Sequence, residues 1–251
     1  MIPCNYHTHT TYCDGRNTVR EMVEAAIALG CPELGFSGHS YLSFDRSWVM
    51  SPEDTALYCR DVRKAAEEYR DRIRIYLGLE QDSFSAPPTE DFDYIIGSVH
   101  CIPCGGEMLS VDESEETQRA EVERYFGGDY YAFCEAYYAE LTHVYEKTHC
   151  DIIGHFDLVT KFNEGCRLFD TQHPRYRKAA QAALDELIKT PAIFEINTGA
   201  IARGYRTVPY PEQPWLQQLR DAGKRLLWNS DCHQASQLLC GMPQQDNRLF
   251  I

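Results

Sequence analysis

Along this chain, short apolar runs end repeatedly in a histidine or an acidic residue, and stretches with helical periodicity separate one run from the next. The runs deliver His7 and His9, then His39, Glu80, His100 and His155, and finally Asp231 with His233. Residues this dispersed meet only in a fold that gathers its strand ends on one side. Strands alternating with helices through right-handed crossovers do so. A parallel α/β barrel is the closed form of that arrangement, and the 251 residues suit one such domain spanning 1–251.

Composition narrows the partners. The formal charge is −14, from 38 acidic against 24 basic residues, with no block of Lys or Arg. That argues against a nucleic-acid groove and against binding to anionic membranes. No apolar stretch approaches the roughly 18 residues of a membrane span. Met1-Ile2-Pro3-Cys4 lacks the charged and apolar regions of a signal peptide, so a cytoplasmic location is expected. The eleven cysteines then read as reduced, mostly buried thiols. Cys101 and Cys104 form a C-x-x-C without the second pair that a four-thiolate zinc site needs.

Seven βα repeats emerge. Strands are predicted over 2–6, 34–39, 73–79, 94–99, 151–154, 192–196 and 225–228 from apolar runs and period-two alternation. Helices are predicted over about 18–29, 52–69, 173–188 and 211–222, the second opened by the Ser51-Pro52-Glu53-Asp54 cap signal. Residues 112–149 interrupt the pattern as a polar and then tyrosine-rich insertion, read as two helices split at Gly127-Gly128. Its aromatics sit at the spacing of a core or interface stripe, and no site is assigned to them.

Metal chemistry follows from spacing. At a strand end, residues i and i+2 share a face, so His7 and His9 can reach one ion. Asp231-Cys232-His233 repeats that geometry, with Cys232 turned the other way. Singly, His39, His100 and His155 would read as hydrogen-bonded core histidines; at three matching strand ends they read as ligands. Glu80 could bridge two cations with its two oxygens. Asp14 is either an Asp-Gly turn residue or a further ligand near His9. His143, His149 and His173 fall in helical or loop contexts and read as surface residues. Such a nitrogen- and oxygen-rich set suits zinc, iron or manganese.

The motifs His7-Thr8-His9-Thr10, Cys13-Asp14-Gly15, Gly35-Phe36-Ser37-Gly38-His39, Glu80, Gly97-Ser98-Val99-His100, Gly154-His155-Phe156-Asp157, Glu195-Ile196-Asn197-Thr198 and Ser230-Asp231-Cys232-His233 cover nearly the whole chain. Together they resemble the polymerase and histidinol phosphatase (PHP) family, and within it the histidinol-phosphate phosphatases. The resemblance implies a distorted (β/α)7 barrel with three divalent metal ions at the C-terminal ends of the strands. It implies one ion on His7, His9, Glu80 and Asp231, a second on His39 and His233 with Asp14, and a third on Glu80, His100 and His155. It also implies catalytic roles for Asp231, His233 and Arg203. Arg203 and Asn197 are expected to face the substrate, with Lys161 and Arg206 as weaker alternatives to the Arg203 phosphate clamp. In two places the sequence departs from the pattern. The loop from His9 to Asp14 is one residue shorter than in many relatives, and residues 234–251 leave little room for a final helix.

The implied activity is a phosphomonoesterase acting on a small phosphorylated substrate, with histidinol phosphate, from histidine biosynthesis, as the substrate the resemblance names. Ions at such a site would activate water for in-line attack on phosphorus. Asp157 is a candidate proton donor to the departing alcohol. A PHP-type phosphoesterase acting on another small phosphomonoester or nucleotide uses the same residues. A nuclease is disfavoured by the missing basic groove. A non-catalytic metal-binding module would predict an incomplete ligand set, and no ligand is missing. The oligomeric state is not legible in the sequence.

Overall fold

The computed structural model describes residues 4–243 and 247–249. In it the chain alternates between helices and a parallel sheet. The strands are β1 (Glu33–His39), β2 (Arg74–Asp82), β3 (Tyr94–Ser98), β6 (Ile152–Ile153), β7 (Ile193–Asn197) and β8 (Leu226–Asn229), hydrogen-bonded in that order. A short antiparallel hairpin, β4 (Cys101–Cys104) with β5 (Glu107–Ser110), follows β3. The principal helices are α1 (Val19–Ala28), α2 (Pro52–Glu68), α3 (Glu115–Phe126), α4 (Tyr130–Leu141), α5 (Val144–Thr148), α6 (Pro174–Leu187), α7 (Gly199–Ala202) and α8 (Trp215–Asp221).

The expected first strand, 2–6, does not form among the described residues; residues 2 and 3 lie outside them. Residues 4–9 instead run extended between the two edges of the sheet. Asn5 bridges Leu34 of β1, and Thr8 bridges Cys232 beyond β8. Gly35 N donates to Asn5 O (2.8 Å), Ser37 N to Thr8 O (3.0 Å) and His9 N to Cys232 O (3.0 Å). The result is a curled, incompletely closed parallel sheet of six strands.

Local chemistry explains most element ends. Thr18 and Ser51 open α1 and α2 with reciprocal capping boxes to Glu21 and Asp54. Helix α8 begins at Trp215 rather than at the expected 211, because Pro214, fourth in a helix opened at 211, has no amide hydrogen for the first intrahelical bond. The insertion forms three helices, not two. Gly127 and Gly128, at φ 59° and 82°, make the expected break, and a second break follows Leu141. Its aromatics enter the core: Phe133, Tyr137 and Tyr138 are buried against α6, where the Tyr138 and Tyr176 hydroxyls lie 3.0 Å apart. The segment around Cys101 and Cys104 is the unanticipated hairpin, turned by Gly105-Gly106, and no disulfide forms among the described residues. No described helix is long and apolar enough to cross a membrane.

Tyr94 plugs the interior of the curled sheet. It is 1% exposed, and its hydroxyl donates to the carbonyls of Tyr6 and Phe36, tying the extended N-terminal segment to β1. Gly78 and Gly35 make room for it: a Cβ on Gly78 would sit 2.3 Å from Tyr94 Cζ, and one on Gly35 2.4 Å from its hydroxyl. Tyr94→Phe, which leaves two buried carbonyls without that donor, should lower unfolding free energy by about 1–3 kcal/mol. Gly78→Ala should lower it by a comparable ~1–3 kcal/mol through overpacking. Urea denaturation of the two variants checks both values.

Candidate metal centre

At the C-terminal edge of the sheet the residues singled out by spacing converge on Glu80, which is 1% exposed. Its Oε2 lies 3.1 Å from His7 Nε2, 3.6 Å from His9 Nε2 and 3.0 Å from His39 Nδ1. Its Oε1 lies 2.9 Å from His155 Nε2, 3.3 Å from His100 Nε2 and 2.7 Å from the Ser98 hydroxyl that donates to it. On the outer side, Asp231 Oδ1 is 3.2 Å from His9 Nε2, and Asp14 Oδ2 is 3.0 Å from His233 Nε2. The His9 ring stacks between those of His39 and His233, with centroids 4.2 and 4.1 Å away.

These atoms fit divalent cations on two counts. First, His7 Nε2, His9 Nε2, His39 Nδ1 and Glu80 Oε2 are buried and form no hydrogen bonds, although they face one another. Such atoms are expensive to bury unless a ligand completes them. Second, the potential ligand atoms fall into three overlapping groups with mutual separations within 4.8 Å: His9, Asp14, His39 and His233; His7, His9 and Glu80; His39, Glu80 and His100. Relative to the expected partition, His9 and His39 are each shared between two groups. Asp231 and His155 stand beside the groups, held to His9 and Glu80 respectively.

The protonation states suit ligation. Burial, together with the imidazoles of His233 and His39, pushes His9 down to about 3, so it stays neutral. Burial works against the charge on Glu80 and on Asp231, yet the histidines around Glu80, and Arg203 with His7 beside Asp231, hold both carboxyls well below the usual range. Asp14, also lowered, owes its shift to His39 and His233 acting against burial. His7 is raised: burial opposes its charge, but Glu80, Glu195 and Asp231 outweigh it. Divalent ions would replace that proton on Nε2.

Two acids to which the sequence assigned no role, Glu195 and Asp82, orient the histidines. Glu195 Oε2 meets His7 Nδ1 at 2.9 Å, and Glu195 Oε1 accepts from His155 N and Asn197 Nδ2. Asp82 Oδ2 lies 3.2 Å from His100 Nδ1. Each fixes the tautomer that turns Nε2 inward. Both sit two residues along a strand from a residue already singled out, Asn197 and Glu80; that shared face was the available signal.

The expected substrate residues separate. Arg203 lines a cavity of about 440 Å³ above the centre, with Nη2 donating to Asp231 Oδ2 (3.0 Å) and Nη1 lying 3.0 Å from His233 Nδ1. Lys161 lines the same cavity and donates to Asp112 Oδ2 (2.8 Å). Asn197 does not line the cavity: it is fully buried, with Nδ2 donating to Glu195 and Oδ1 accepting from Gly199 N. It shares the inward strand face with Glu195 and supports the ligands from below. Arg206 is 5% exposed and bound to Glu212 and Thr160, and Asp157 is buried and accepts from Glu212 N, so neither lines the cavity. Cys232 packs into the core, as alternation predicts. His143 and His149 are exposed, whereas His173 caps α6 and stacks on Tyr131.

A family model for the PHP domain matches residues 5–199. The chain belongs to the PHP family. A Deinococcus radiodurans protein named "Probable histidinol-phosphatase" is 30% identical over 94% of this chain and 88% of its own length. A solved chain from Listeria monocytogenes has the same fold, with a TM-score of 0.81 at 22% identity, covering 95% of this chain and 98% of its own. The histidinol phosphate phosphatase of Lactococcus lactis subsp. lactis, solved in complex with zinc, L-histidinol and phosphate, gives a TM-score of 0.66 at 19% identity over 93% of this chain and 87% of that one. Homology to PHP-family histidinol-phosphatases and the gathered ligand set identify a metal-dependent phosphoesterase in general terms.

Asp157 gives a test of buried electrostatics outside the centre. Burial and the nearby Glu212 charge push its carboxyl up to about 7, with Arg206 opposing. The folded state therefore keeps a proton that the unfolded chain releases near its ordinary value of 3.8, so stability falls as pH rises from about 4 to about 7. Asp157→Asn should remove that part of the slope. Relative to the parent, the variant should gain unfolding free energy between about pH 5 and about pH 8, measured by urea titration at both.

Proposed function

We propose that the chain is a phosphomonoesterase that releases phosphate from histidinol phosphate, built on a distorted barrel of which residues 4–9 form the seventh stave. The observation that carries the phosphoesterase reading is the convergence of buried histidine nitrogens on both oxygens of Glu80, those facing Oε2 being unpartnered, beneath a cavity lined by Arg203 and Lys161. Two things support the choice of substrate: the relative from Deinococcus radiodurans, and the Lactococcus lactis structure with L-histidinol and phosphate.

His7, His9, Glu80 and Asp231, then His39, His233 and Asp14, and then Glu80, His100 and His155 would hold three divalent ions, with His9 and His39 placed to be shared. Bound there, divalent ions supply a water of lowered pKa and positive charge for the phosphoryl oxygens. The protein's own part is orientation. His233 Nδ1 lies within reach of both Arg203 Nη1 (3.0 Å) and its neighbour's carbonyl, Asp231 O (3.1 Å). A histidine that gives Nε2 to a cation carries its proton on Nδ1. Nδ1 then donates to Asp231 O and no longer accepts from Arg203. That frees an N–H of Arg203 for a phosphoryl oxygen, while Nη2 stays anchored on Asp231. Lys161, fixed by Asp112, adds a second positive charge on the cavity wall.

Phosphate release from a panel of histidinol phosphate, sugar phosphates, nucleotides and a phosphodiester, with metal content determined on the same sample, tests the reading. A clear preference for histidinol phosphate is expected; preference for another monoester would keep the centre and discard the substrate. His100→Ala should lose part of the bound metal and about 10–100-fold or more in activity, because neighbouring ligands share the Glu80 bridge. Full metal and full turnover in that variant would overturn the ligand set.

A further inference from the structure

An imidazole that gives one ring nitrogen to a cation keeps its proton on the other, and the partner of that outer nitrogen fixes how the ring is turned. Around the centre these partners are carboxylates for His7 and His100 and a carbonyl for His233. His9 is different. Its Nε2 faces Asp231 Oδ1 and Glu80 Oε2, and its Nδ1 meets the sulfur of Cys13 at 3.6 Å, a hydrogen-bond contact to a thiol.

The loop after His9 places that sulfur. The chain folds back on itself: Thr10 O accepts from Cys13 N (3.0 Å) and Gly15 N (3.1 Å), and Thr11 N donates to Asn17 O (3.0 Å). The turn is so close that a Cβ on Gly15 would sit 2.6 Å from the carbonyl carbon of His9. Cys13 is thereby held with its sulfur beside His9 Nδ1, and its S–H has a second partner in Thr10 O at 3.5 Å. Asp14 Oδ1 is the rival acceptor for the Nδ1 proton. It lies 3.9 Å away, beyond hydrogen-bonding distance, and the Asp14 carboxylate is engaged by His233 Nε2 at 3.0 Å. At Nδ1 of His9 the thiol is therefore the available partner.

We propose that Cys13 is the positioning residue for His9: its thiol accepts the Nδ1 proton and so keeps Nε2, on a ring that is 0% exposed, turned into the centre. A thiol is both a weak donor and a weak acceptor. It can take the proton of Nδ1 while its own S–H turns to Thr10 O, or donate to a bare Nδ1 when the ring proton sits on Nε2. The ionised carboxylates behind His7 and His100 only accept, so each of them fixes one tautomer. Cys13 instead follows His9 through both, and the ring keeps its place as a cation enters or leaves. The inference rests on the ligand set within the proposed reading and is independent of the substrate.

Chelator competition on the full-length, zinc-loaded protein reads this role. Cys13→Ala should weaken bound zinc by about tenfold or more, the range for loss of a ligand's outer hydrogen-bond partner. Cys13→Ser, which restores a group that both donates and accepts, should recover most of that loss. Parent affinity in Cys13→Ala overturns the inference. So does a Cys13→Ser variant as weak as Cys13→Ala, since packing would then account for the change. Nitrogen NMR spectra of labelled histidines add a readout that packing does not move. In the zinc-loaded parent, His9 should bind through Nε2 and keep a slowly exchanging proton on Nδ1, and Cys13→Ala should speed that exchange. Zinc on Nδ1 of His9, or no zinc uptake by the parent, also overturns the inference. Tight zinc binding without phosphate release from any ester would instead sink the phosphomonoesterase reading and leave the role of Cys13 standing.

Discussion

A single buried carboxylate organises this molecule. Glu80 carries its charge at 1% exposure, and five imidazoles are arranged around its two oxygens. Burying an ion is expensive unless nearby opposite charge and hydrogen bonds compensate it. Here only one oxygen is compensated. Oε1 accepts from Ser98 and faces His155, whereas Oε2 meets ring nitrogens and forms no hydrogen bond. The fold maintains a deliberately incomplete site. The extended segment that carries His7 and His9 is held between β1 and the chain beyond β8, so closure of the sheet and assembly of the ligands are one event.

Contrast Glu195, the other deeply buried glutamate. Its oxygens take the His155 amide, Asn197 Nδ2, Asn229 Nδ2 and His7 Nδ1, a full complement for a carboxylate. Satisfied networks rigidify; half-satisfied ones are reserved for ligands. Glu195 thus acts as the floor and Glu80 as the opening, and His7 links them through its two ring nitrogens. Asp231 adds local strain. It adopts φ 46°, a conformation uncommon for a residue other than glycine, and is held there by Arg203 and the surrounding histidines. Such outliers persist where the neighbours over-determine them.

The gathering of residues around Glu80 was legible because each is announced by a short apolar run, and a parallel sheet converts position along a strand into position in space. What spacing could not convey is direction among buried polar groups. Asn197 and Glu195 share one strand face, but nothing in Glu195-Ile196-Asn197 says that both are buried in the hydrogen-bond network and neither reaches the cavity. Arg206 looked available in a loop; Glu212 and Thr160, remote from it in pattern though not in space, consume it. Cys101 and Cys104 stood out only as a lone C-x-x-C, while Gly105-Gly106 beside them turns a hairpin. The first strand failed for a different reason. Segment 4–9 makes its hydrogen bonds to two different edges and in part through side chains, including Thr8 N to Ser37 Oγ, so no continuous ladder forms.

Net charge adds one more constraint. A protein at −14 repels a phosphate dianion at long range, and the centre itself contains the carboxylates Asp14, Glu80 and Asp231. Of the cations nearby, Arg203 is already bound to Asp231 and Lys161 to Asp112. Without metal ions the carboxylates of the floor therefore oppose a phosphate, with Arg16 the lining cation outside an ion pair among the described residues. Three divalent ions would add six positive charges against those three carboxylates and reverse the local field. With metal ions held there, the charge that attracts a phosphoryl group would come from them, and His233 would carry its proton on Nδ1, leaving an N–H of Arg203 free. Selectivity and catalysis then depend on the same occupancy, and the acidic surface that discourages other anions does not need to be overcome by any basic patch.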